Sequence, residues 1–264
     1  MKTLNPTLDL DRFFRRVQHA RQSALLLDYD GTLAPFQPQR HRAVPYPGVR
    51  ETLSELLNAP HCTLVLISGR AIKDLIPLLG LKSLPEIWGS HGMERLRVDG
   101  TYELAPLEEG FSHALRTIKQ WCHEAGLSRQ CELKPGALAI HWRGQAEARA
   151  SATRDLIARQ WADRAREIGL RLQPFDGGIE FRTPGNDKGQ AVKRILSELD
   201  DDSPVAYLGD DLTDEDAFQA VRNRGIGILV NARLRTTGAD LWLVPPEELL
   251  QFLSSWKKIC GGKK

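Results

Sequence analysis

The sequence predicts an α/β fold with a mostly parallel sheet, flanking helices and a smaller inserted α/β domain. The first observation is a series of short apolar runs that end in polar turns, several of which contain glycine. The second is a helical pattern after these runs, and the two together are typical of βα units. The third is a change of rhythm in the middle of the chain, which indicates an insertion. A chain of 264 residues with 41% hydrophobic content can bury such a core.

Four buried strands are predicted, each with a polar segment directly after it. In chain order they cover residues 24–27, 63–67, 205–208 and 226–230. In open α/β sheets the ligand binds outside the C-terminal ends of the parallel strands. One shared site is therefore expected to contain the residues that follow these strands, Asp28, Ser68, Gly209 and Asn231.

The helices follow these strands, and the middle of the chain has elements of its own. Outside the middle, helices are predicted at residues 48–58, 71–79, 188–199, 213–223 and 246–256. In the middle, helical patterns at 107–125 and 146–168 alternate with strand patterns at 138–143 and 178–182. We interpret residues 108–182 as an inserted α/β cap domain, and residues 1–107 and 183–264 as the core.

Charge, cysteine content and the absence of long apolar runs indicate which partners and which compartment to expect. The sequence has 36 basic and 34 acidic residues, so nothing in it favours nucleic-acid or membrane-surface binding. Its four cysteines form no CxxC pair, which is typical of a reduced chain. The N-terminal segment lacks the apolar core of a signal peptide, and no apolar run is long enough to span a bilayer. We expect a cytoplasmic monomer with a small-molecule substrate and with no nucleic-acid or membrane partner.

The segment LLLDYDGTLAP places two carboxylates, Asp28 and Asp30, just past a buried strand. Gly31 permits the sharp turn that follows. Asp28 could attack phosphorus as a nucleophile, and Asp30 could protonate the leaving oxygen and later deprotonate a water. The alternative is a turn and helix-cap pair, where aspartate is also common. The choice between the two depends on the remaining segments.

Two further segments could hold a phosphate group. In VLISGR a strand ends in Ser68, Gly69 and Arg70, where a hydroxyl and free backbone N–H groups suit a phosphate oxygen. Lys188, in PGNDKG, opens a predicted helix and could pair with the phosphate and with Asp28. The alternatives are an N-cap serine without a ligand and an exposed surface lysine.

The segment AYLGDDLTDEDAF crowds five acidic residues at one strand end. Such a density of acids is repulsive unless a cation lies among them. Mg²⁺ suits the segment because it prefers oxygen ligands and is commonly held by one or two carboxylates together with substrate phosphate. We expect Mg²⁺ to be bound by the side chains of Asp28 and Asp210 and by the backbone carbonyl of Asp30. Asp211 and Asp214 are expected to hold metal-bound water. The alternative is a solvated acidic loop or a capped helix start.

Taken together, the four segments resemble the motifs of the haloacid dehalogenase superfamily of phosphohydrolases, in the same order: DYDGTL, ISGR, Lys188 and GDDLTDED. The resemblance runs from Leu25 to Phe218 and implies a Rossmann-like core, Mg²⁺ and an aspartyl-phosphate intermediate. It implies that catalysis comes from positioning and electrostatics. The catalytic residues that it implies are Asp28, Asp30, Ser68 and Lys188.

Two predicted cap strands could present a polar surface to a sugar. Alternation in GALAIHWR places His141 and Arg143 on one face of its strand, and alternation in GGIEFR does the same for Glu180 and Arg182. Neighbouring faces of this kind offer donors and acceptors for sugar hydroxyls. The alternative is the solvent-facing side of a half-exposed sheet.

These strands, together with DYDGTLAP, GSHGMERL and GDDLTDEDAF, resemble the trehalose-6-phosphate phosphatase family. The resemblance implies hydrolysis of trehalose 6-phosphate to trehalose and phosphate, in trehalose biosynthesis. It implies substrate contacts from the core residues His91, Gly92 and Glu94, and from the cap residues Lys134, His141, Arg143, Glu180 and Arg182. Gly69 and Arg70 of the VLISGR segment complete the predicted substrate-binding residues. The alternatives are another capped sugar phosphatase, acting on sucrose phosphate or a glycosyl phosphoglycerate, and a catalytically inactive sugar-phosphate sensor.

Overall fold

The structure is a computed structural model and describes residues 1–37, 39–175 and 177–261. The chain divides into two units, of which the first comprises Met1–Glu103 and Asp187–Lys264, and the second Leu104–Asn186. A search of the described residues finds no helix with the length and apolar character that crossing a membrane requires.

The secondary structure alternates strands and helices along most of the chain. The strands are β1 (Lys2–Thr3), β2 (Ser23–Leu27), β3 (Cys62–Ile67), β4 (Glu86–Gly89), β5 (Glu94–Leu96), β6 (Tyr102–Leu104), β7 (Cys131–Lys134), β8 (Ala137–His141), β9 (Arg171–Phe175), β10 (Gly178–Arg182), β11 (Val205–Gly209), β12 (Gly225–Val230) and β13 (Leu241–Leu243). The α-helices are α1 (Leu10–His19), α2 (Val49–Leu57), α3 (Ile72–Leu79), α4 (Glu109–Glu124), α5 (Glu147–Glu167), α6 (Lys188–Glu198), α7 (Glu215–Val221) and α8 (Glu247–Gly261).

The first unit is built on a nine-stranded sheet in the order β1, β13, β12, β11, β2, β3, β4, β5 and β6. The strands from β13 to β4 run parallel, whereas β1 and β5 are antiparallel to their neighbours. Leu27 of β2 lies opposite Leu208 of β11 on one side and Leu66 of β3 on the other. The C-terminal ends of these three strands therefore lie side by side, and the motif residues that follow them share one edge.

Buried side chains cover both faces of the central strands, as expected for a parallel sheet with helices on each side. All five residues of β2 are buried. Leu25 and Leu27 pack with side chains of α2, α3 and α8 on one face. Ala24 and Leu26 pack with side chains of α6 and α7 on the other. Because both faces are filled, the strand ends are the places where polar groups can act.

The second unit contains a four-stranded antiparallel sheet in the order β7, β8, β10 and β9. Leu138, Ile140 and Phe181 pack on one face of it, with side chains of α4 and α5. Glu180 pairs with Ala139 of β8 and so belongs to the opposite face. The predicted alternation is therefore confirmed for β10 and, as far as His141, for β8.

The predicted helices and strands are all present, and two of their bounds differ near residues of interest. The predicted strand 138–143 is too long, because β8 ends at His141 and the backbone N–H groups of Trp142 and Arg143 both donate to the carbonyl of Gly177. The predicted helix start at residue 213 is wrong, because Asp211 and Asp214 cap a 3₁₀ turn and α7 begins at Glu215. The short strands β1, β4 to β7, β9 and β13, and helix α1, were not predicted.

Candidate active site

Asp28 follows the last residue of β2 and lies at the centre of a buried charge cluster. Its backbone N–H donates to the carbonyl of Leu208 at 2.9 Å, which extends the pairing of β2 with β11 by one residue. Its carboxylate Oδ1 lies 2.7 Å from Nζ of Lys188, and the hydroxyl of Thr32 donates to Oδ2 at 3.4 Å. The side chain is 3% exposed. The predicted nucleophile is thus held by the sheet and by a cation.

Lys188 is the first residue of α6, and its side chain extends into this cluster. Asp187 caps the helix by accepting from the backbone N–H of Gln190. The Lys188 ammonium bridges Asp28 and the Oδ1 atom of Asp214, which lies 2.6 Å away. Burial alone would lower the pKa of Lys188, but the two carboxylates outweigh it and raise that pKa above its ordinary value. Lys188 is therefore a buried, charged residue, and its alternative interpretation as an exposed surface lysine is wrong.

Three carboxylates, those of Asp28, Asp210 and Asp214, offer oxygen atoms within 4.8 Å of one another. Asp214 is fully buried and accepts from the hydroxyl of Tyr207, from Lys188, and from the backbone N–H groups of Asp210 and Asp211. These four donors fix its position. Asp214 therefore links Lys188 to the backbone of Asp210 and Asp211.

The pKa values of two members of the cluster are raised. Burial raises the pKa of Asp28 to about 7, with a further increase from Asp214 and Asp30 and an opposing effect from Lys188. Burial, followed by the charges of Asp28 and Asp214, raises the pKa of Asp210 well above its ordinary value. Three carboxylates around one ammonium leave an excess of negative charge, which a divalent cation would offset.

The residues present fit a metal ion that prefers oxygen ligands. Asp210 lies against the main chain of Gly31, where an ideal Cβ would be 2.1 Å from Asp210 Oδ2. Gly31 also has a φ of 82°, in the region that favours glycine. A side chain at this position would displace the Asp210 carboxylate. The glycine of the DYDGT motif therefore leaves room for Asp210 beside Asp28.

Asp30 and Arg70 form a bidentate ion pair beside the cluster. Nε and an Nη of Arg70 donate to the two oxygens of Asp30, each at 2.6 Å. Arg70 is buried, and its backbone N–H donates to the hydroxyl of Ser68 at 3.1 Å. The strand ends of β2 and β3 thus bring Asp30, Ser68 and Arg70 together, as the motifs predicted.

The segment from Ser90 to Glu94 packs beside the loop after β3. The backbone N–H of His91 donates to the carbonyl of Ser68 at 2.9 Å, and Gly92 ends the 3₁₀ turn that contains it. An ideal Cβ at Gly69 would lie 2.6 Å from the imidazole of His91, so only a glycine lets this ring lie so close. Glu94 accepts from the hydroxyls of Ser90 and Tyr102, at 2.6 and 3.0 Å. Hydrogen bonds within the segment and to Ser68 and Tyr102 therefore hold it in place.

The second unit has a buried charged cluster of its own, on the face of its sheet opposite to α4 and α5. Nζ of Lys134 lies 2.6 Å from Oε1 of Glu180, and Arg182 donates to Oε2 at 2.6 and 2.9 Å. Glu180 is 1% exposed. His141 pairs with Glu132 of β7 at 2.9 Å. Four of the five predicted cap residues therefore lie on β7, β8 and β10 with charged partners.

Arg143, the fifth predicted cap residue, lies beyond the end of β8. The alternation that placed it beside His141 does not apply there, because the chain turns to bond with Gly177. An ideal Cβ at Gly177 would lie 2.6 Å from Cβ of Arg143, so the two residues are in close contact. A role for Arg143 in substrate binding stays a prediction.

Three residues of these clusters were not predicted. Thr32 lies inside the DYDGTL motif, so its place near Asp28 could have been inferred from the turn. Tyr207 lies in a buried strand and donates to Asp214, and no sequence pattern distinguishes its hydroxyl from that of a packed tyrosine. Glu132 pairs with His141 only through the register of β7 against β8.

Comparison with known proteins gives consistent matches. The model of the trehalose-phosphatase family matches residues 26–239. A trehalose-phosphate phosphatase of Mycobacterium tuberculosis (strain ATCC 25618 / H37Rv) is 34% identical over 247 residues, which cover 88% of this chain and 61% of that protein. The chain spans about three-fifths of the length of the first curated relatives it matches.

Solved structures match over most of the chain. The C-terminal domain of the C. albicans trehalose-6-phosphate phosphatase matches with a TM-score of 0.78 at 23% identity. The match covers 99% of this chain and 99% of that chain. A haloacid dehalogenase-like hydrolase from B. subtilis has a TM-score of 0.62 at 13% identity, covering 88% of this chain and 98% of that chain. These matches confirm the predicted fold class.

Proposed function

Because the chain belongs to the trehalose-phosphatase family, we propose that it hydrolyses trehalose 6-phosphate to trehalose and phosphate. The observation that carries the proposal is the buried cluster in which Lys188 bridges Asp28 and Asp214. A turn or helix cap alone does not require several buried carboxylates around one ammonium. Burial of several carboxylates has a large desolvation cost, and it is typical of a site that binds charged reactants.

Mg²⁺ is the proposed cofactor of this site. The residues that would hold it are Asp28 and Asp210 through their side chains and Asp30 through its backbone carbonyl. When bound, the ion offsets the charge of the carboxylates and polarises the phosphoryl group. The excess of carboxylates over ammonium groups supports this assignment.

Asp28 is the proposed nucleophile. One of its carboxylate oxygens attacks phosphorus, the bond from phosphorus to the sugar oxygen breaks, and an aspartyl phosphate forms on Asp28. Lys188 and the hydroxyl of Ser68 hold the phosphoryl oxygens and reduce their repulsion from the carboxylate. In the second half of the reaction, water attacks phosphorus, which releases phosphate and regenerates the Asp28 carboxylate.

Asp30 is the proposed general acid and base. It gives a proton to the leaving sugar oxygen in the first half and takes one from the attacking water in the second. The pair with Arg70 occupies both carboxylate oxygens of Asp30. Asp30 must therefore leave at least one of these bonds, and take up a proton from solvent, before it can give a proton to the leaving sugar oxygen.

In this proposal the sugar is bound by the charged face of the sheet in the second unit, which is opposite to the face that packs on α4 and α5. Lys134, Glu180 and Arg182 supply two cationic donors and one carboxylate, which can exchange their mutual bonds for bonds to hydroxyl groups. His141 and Glu132 add a second donor and acceptor pair. A surface of fixed hydrogen-bonding groups is typical of sites that select sugars.

The compartment and the oligomeric state belong to the same proposal. The four cysteines are free thiols, which supports a reducing, cytoplasmic environment. In this proposal the chain acts as a monomer, which light scattering after size-exclusion chromatography tests directly. A dimer in that measurement would contradict the monomer alone and would leave the proposed reaction unaffected.

A phosphate-release panel tests the proposed function. The purified chain is assayed with Mg²⁺ on trehalose 6-phosphate, sucrose 6-phosphate, glucosyl-3-phosphoglycerate and p-nitrophenyl phosphate, with EDTA and the Asp28→Asn variant as controls. We expect trehalose 6-phosphate to give the highest kcat/KM and both controls to abolish release. A higher kcat/KM on another sugar phosphate would contradict the assignment of trehalose 6-phosphate as the substrate. If no compound released phosphate, the assignment of the chain as a phosphatase would be wrong.

A further inference from the structure

The loop after β12 reaches back to the acidic segment that follows β11. Arg235 lies in this loop, and its guanidinium donates from Nη2 to the carbonyl of Asp211 at 2.8 Å and from Nε to the carbonyl of Asp210 at 3.3 Å. The Asp210 carbonyl also accepts from the side-chain amide of Asn231 at 3.3 Å. Two residues from a distant part of the sequence therefore bond to the main chain of the proposed metal ligand.

The main chain at Asp210 and Asp211 is held from both sides. Asp214 accepts from the backbone N–H groups of these two residues at 3.0 and 2.9 Å. Arg235 and Asn231 donate to their carbonyls. Each of the two residues thus has its N–H and its C=O bonded, so rotation of either would break several bonds at once. This restraint fixes the Cα position from which the Asp210 carboxylate extends.

Arg235 is itself fixed by partners on its far side. It forms an ion pair with Glu215 and donates to the carbonyl of Thr236 at 2.8 Å. The second oxygen of Glu215 accepts from the backbone N–H of Gly238 at 2.7 Å. A guanidinium has five N–H donors in a rigid plane, which is why a single arginine can span all these acceptors. A lysine has one donor centre and cannot reproduce the arrangement.

We infer that Arg235 is a positioning residue for the Mg²⁺ site, acting by holding the main chain of Asp210 and Asp211. The inference rests on the proposed function for the identity of the metal. Arg235 acts on the metal through the main chain, because its bonds to Asp210 and Asp211 go to backbone carbonyls. It also places a cation behind a segment that is rich in carboxylates, which lowers their mutual repulsion.

Mg²⁺ binding to the metal-free chain tests the inference without any substrate. Isothermal titration calorimetry compares the wild type with Arg235→Ala, Arg235→Lys and Arg233→Ala. Arg233 is the matched control because it is exposed, lies in the same loop and carries the same charge. Loss of a partner that orients a metal ligand typically weakens metal binding by about 10- to 100-fold, and we expect Arg235→Ala to raise the Kd about tenfold. Arg235→Lys should raise it less, and Arg233→Ala should leave it unchanged.

Phosphate release at increasing Mg²⁺ separates positioning from a general loss of structure. A positioning defect shifts the half-saturating Mg²⁺ concentration of Arg235→Ala upward and is rescued at saturating Mg²⁺, where kcat approaches that of the wild type. Equal Mg²⁺ affinity in Arg235→Ala and wild type would overturn the inference, and so would an equal loss in Arg233→Ala. If Arg235→Ala does not fold, Arg235→Lys decides: wild-type affinity in that variant overturns the inference. Failure of the wild type on trehalose 6-phosphate, with Mg²⁺ binding intact, would contradict the proposed function alone.

Discussion

The two units bury charge in opposite proportions. In the first unit one ammonium, that of Lys188, lies among the carboxylates of Asp28, Asp210 and Asp214. In the second unit one carboxylate, that of Glu180, lies between two cations. The first cluster is short of positive charge and suits a metal ion with a phosphoryl group. The second has donors in excess and suits the oxygen atoms of a sugar.

The two clusters also differ in how the fold builds them. The first lies at the ends of parallel strands, where residues far apart in sequence converge on one edge. The second lies on the face of an antiparallel sheet, where its members are neighbours through strand register. The proposed function assigns chemistry on the reacting phosphorus to the first cluster and selection of the sugar to the second, and substitutions can test the two roles separately.

The largest expected effect is on catalysis in the first cluster. Asp28→Asn keeps the size of the side chain and removes the nucleophile, so kcat should fall by at least about 10⁴-fold on every substrate. Steady-state phosphate release measures it, and Asp74→Asn, at an exposed position, is the matched control. Turnover within tenfold of the wild type would exclude Asp28 as the nucleophile.

The second effect is on stability. Lys188→Met leaves buried carboxylates without a counter-ion, and we expect a loss of about 3 kcal/mol in the free energy of unfolding at pH 8 without metal. Lys188 lowers the pKa of Asp28, which burial raises to about 7 in the wild type, so the loss of Lys188 should raise that pKa further. As the pH falls from 8 to 6, the folded variant should then take up more protons than the folded wild type, and part of the lost stability should be recovered.

Urea unfolding at both pH values measures this effect. Lys193→Met is the matched control, because Lys193 is exposed on the same helix. A loss of stability that is the same at pH 8 and pH 6 would show that Lys188 does not act by balancing the carboxylates.

The third effect separates sugar selection from catalysis. Glu180→Gln removes a charged acceptor from the second cluster. A hydrogen bond to a charged group contributes about 2 kcal/mol, so we expect kcat/KM for trehalose 6-phosphate to fall roughly 30-fold. The rate on p-nitrophenyl phosphate should not change, because that ester lacks a sugar. Glu167→Gln, at an exposed site on α5, is the control. Equal losses of kcat/KM on both substrates would contradict the proposal that the second cluster selects the sugar and the first carries out catalysis.

The smallest effect concerns the competition between protons and metal in the first cluster. Burial raises the pKa of Asp28 to about 7, so a proton must leave before the carboxylate binds Mg²⁺ at lower pH. Mg²⁺ affinity should therefore fall as the pH falls from 8 to 6, by up to about tenfold per pH unit for each proton that the metal displaces. The raised pKa of Asp210 adds to this competition. Calorimetry at pH 6, 7 and 8 measures the trend, and equal affinity at all three values would contradict it.

The sequence was most informative where apolar runs end in polar motifs. The strand before Asp28 is fully buried, and the strand before Ser68 is buried over its last four residues, so their patterns predicted both the element and the residue at its end. These inferences needed only local patterns and the rule that parallel strands end at one edge. The pairing of Lys188 with Asp28 depended in addition on the resemblance to the haloacid dehalogenase motifs, because a lysine at a helix start is by itself typical of an exposed surface.

The pairings inside the site could not be read in the same way. The bond between Asp30 and Arg70 joins two strand ends, and the bonds from Arg235 to the acidic segment depend on the path of a loop without regular structure. The pair of Glu132 and His141 depends on the register of β7 against β8. Such contacts arise from tertiary packing, which no periodicity in the sequence encodes.

Trapping of the covalent intermediate tests the central claim most directly. The enzyme is mixed with trehalose 6-phosphate and Mg²⁺, quenched during turnover, reduced with borohydride, and digested for peptide mass spectrometry. Borohydride converts an acyl phosphate into an alcohol, so we expect the side chain of Asp28 to be reduced only when substrate is present. Continued phosphate release with an unmodified Asp28, or reduction at a different carboxylate, would contradict the assignment of Asp28 as the nucleophile.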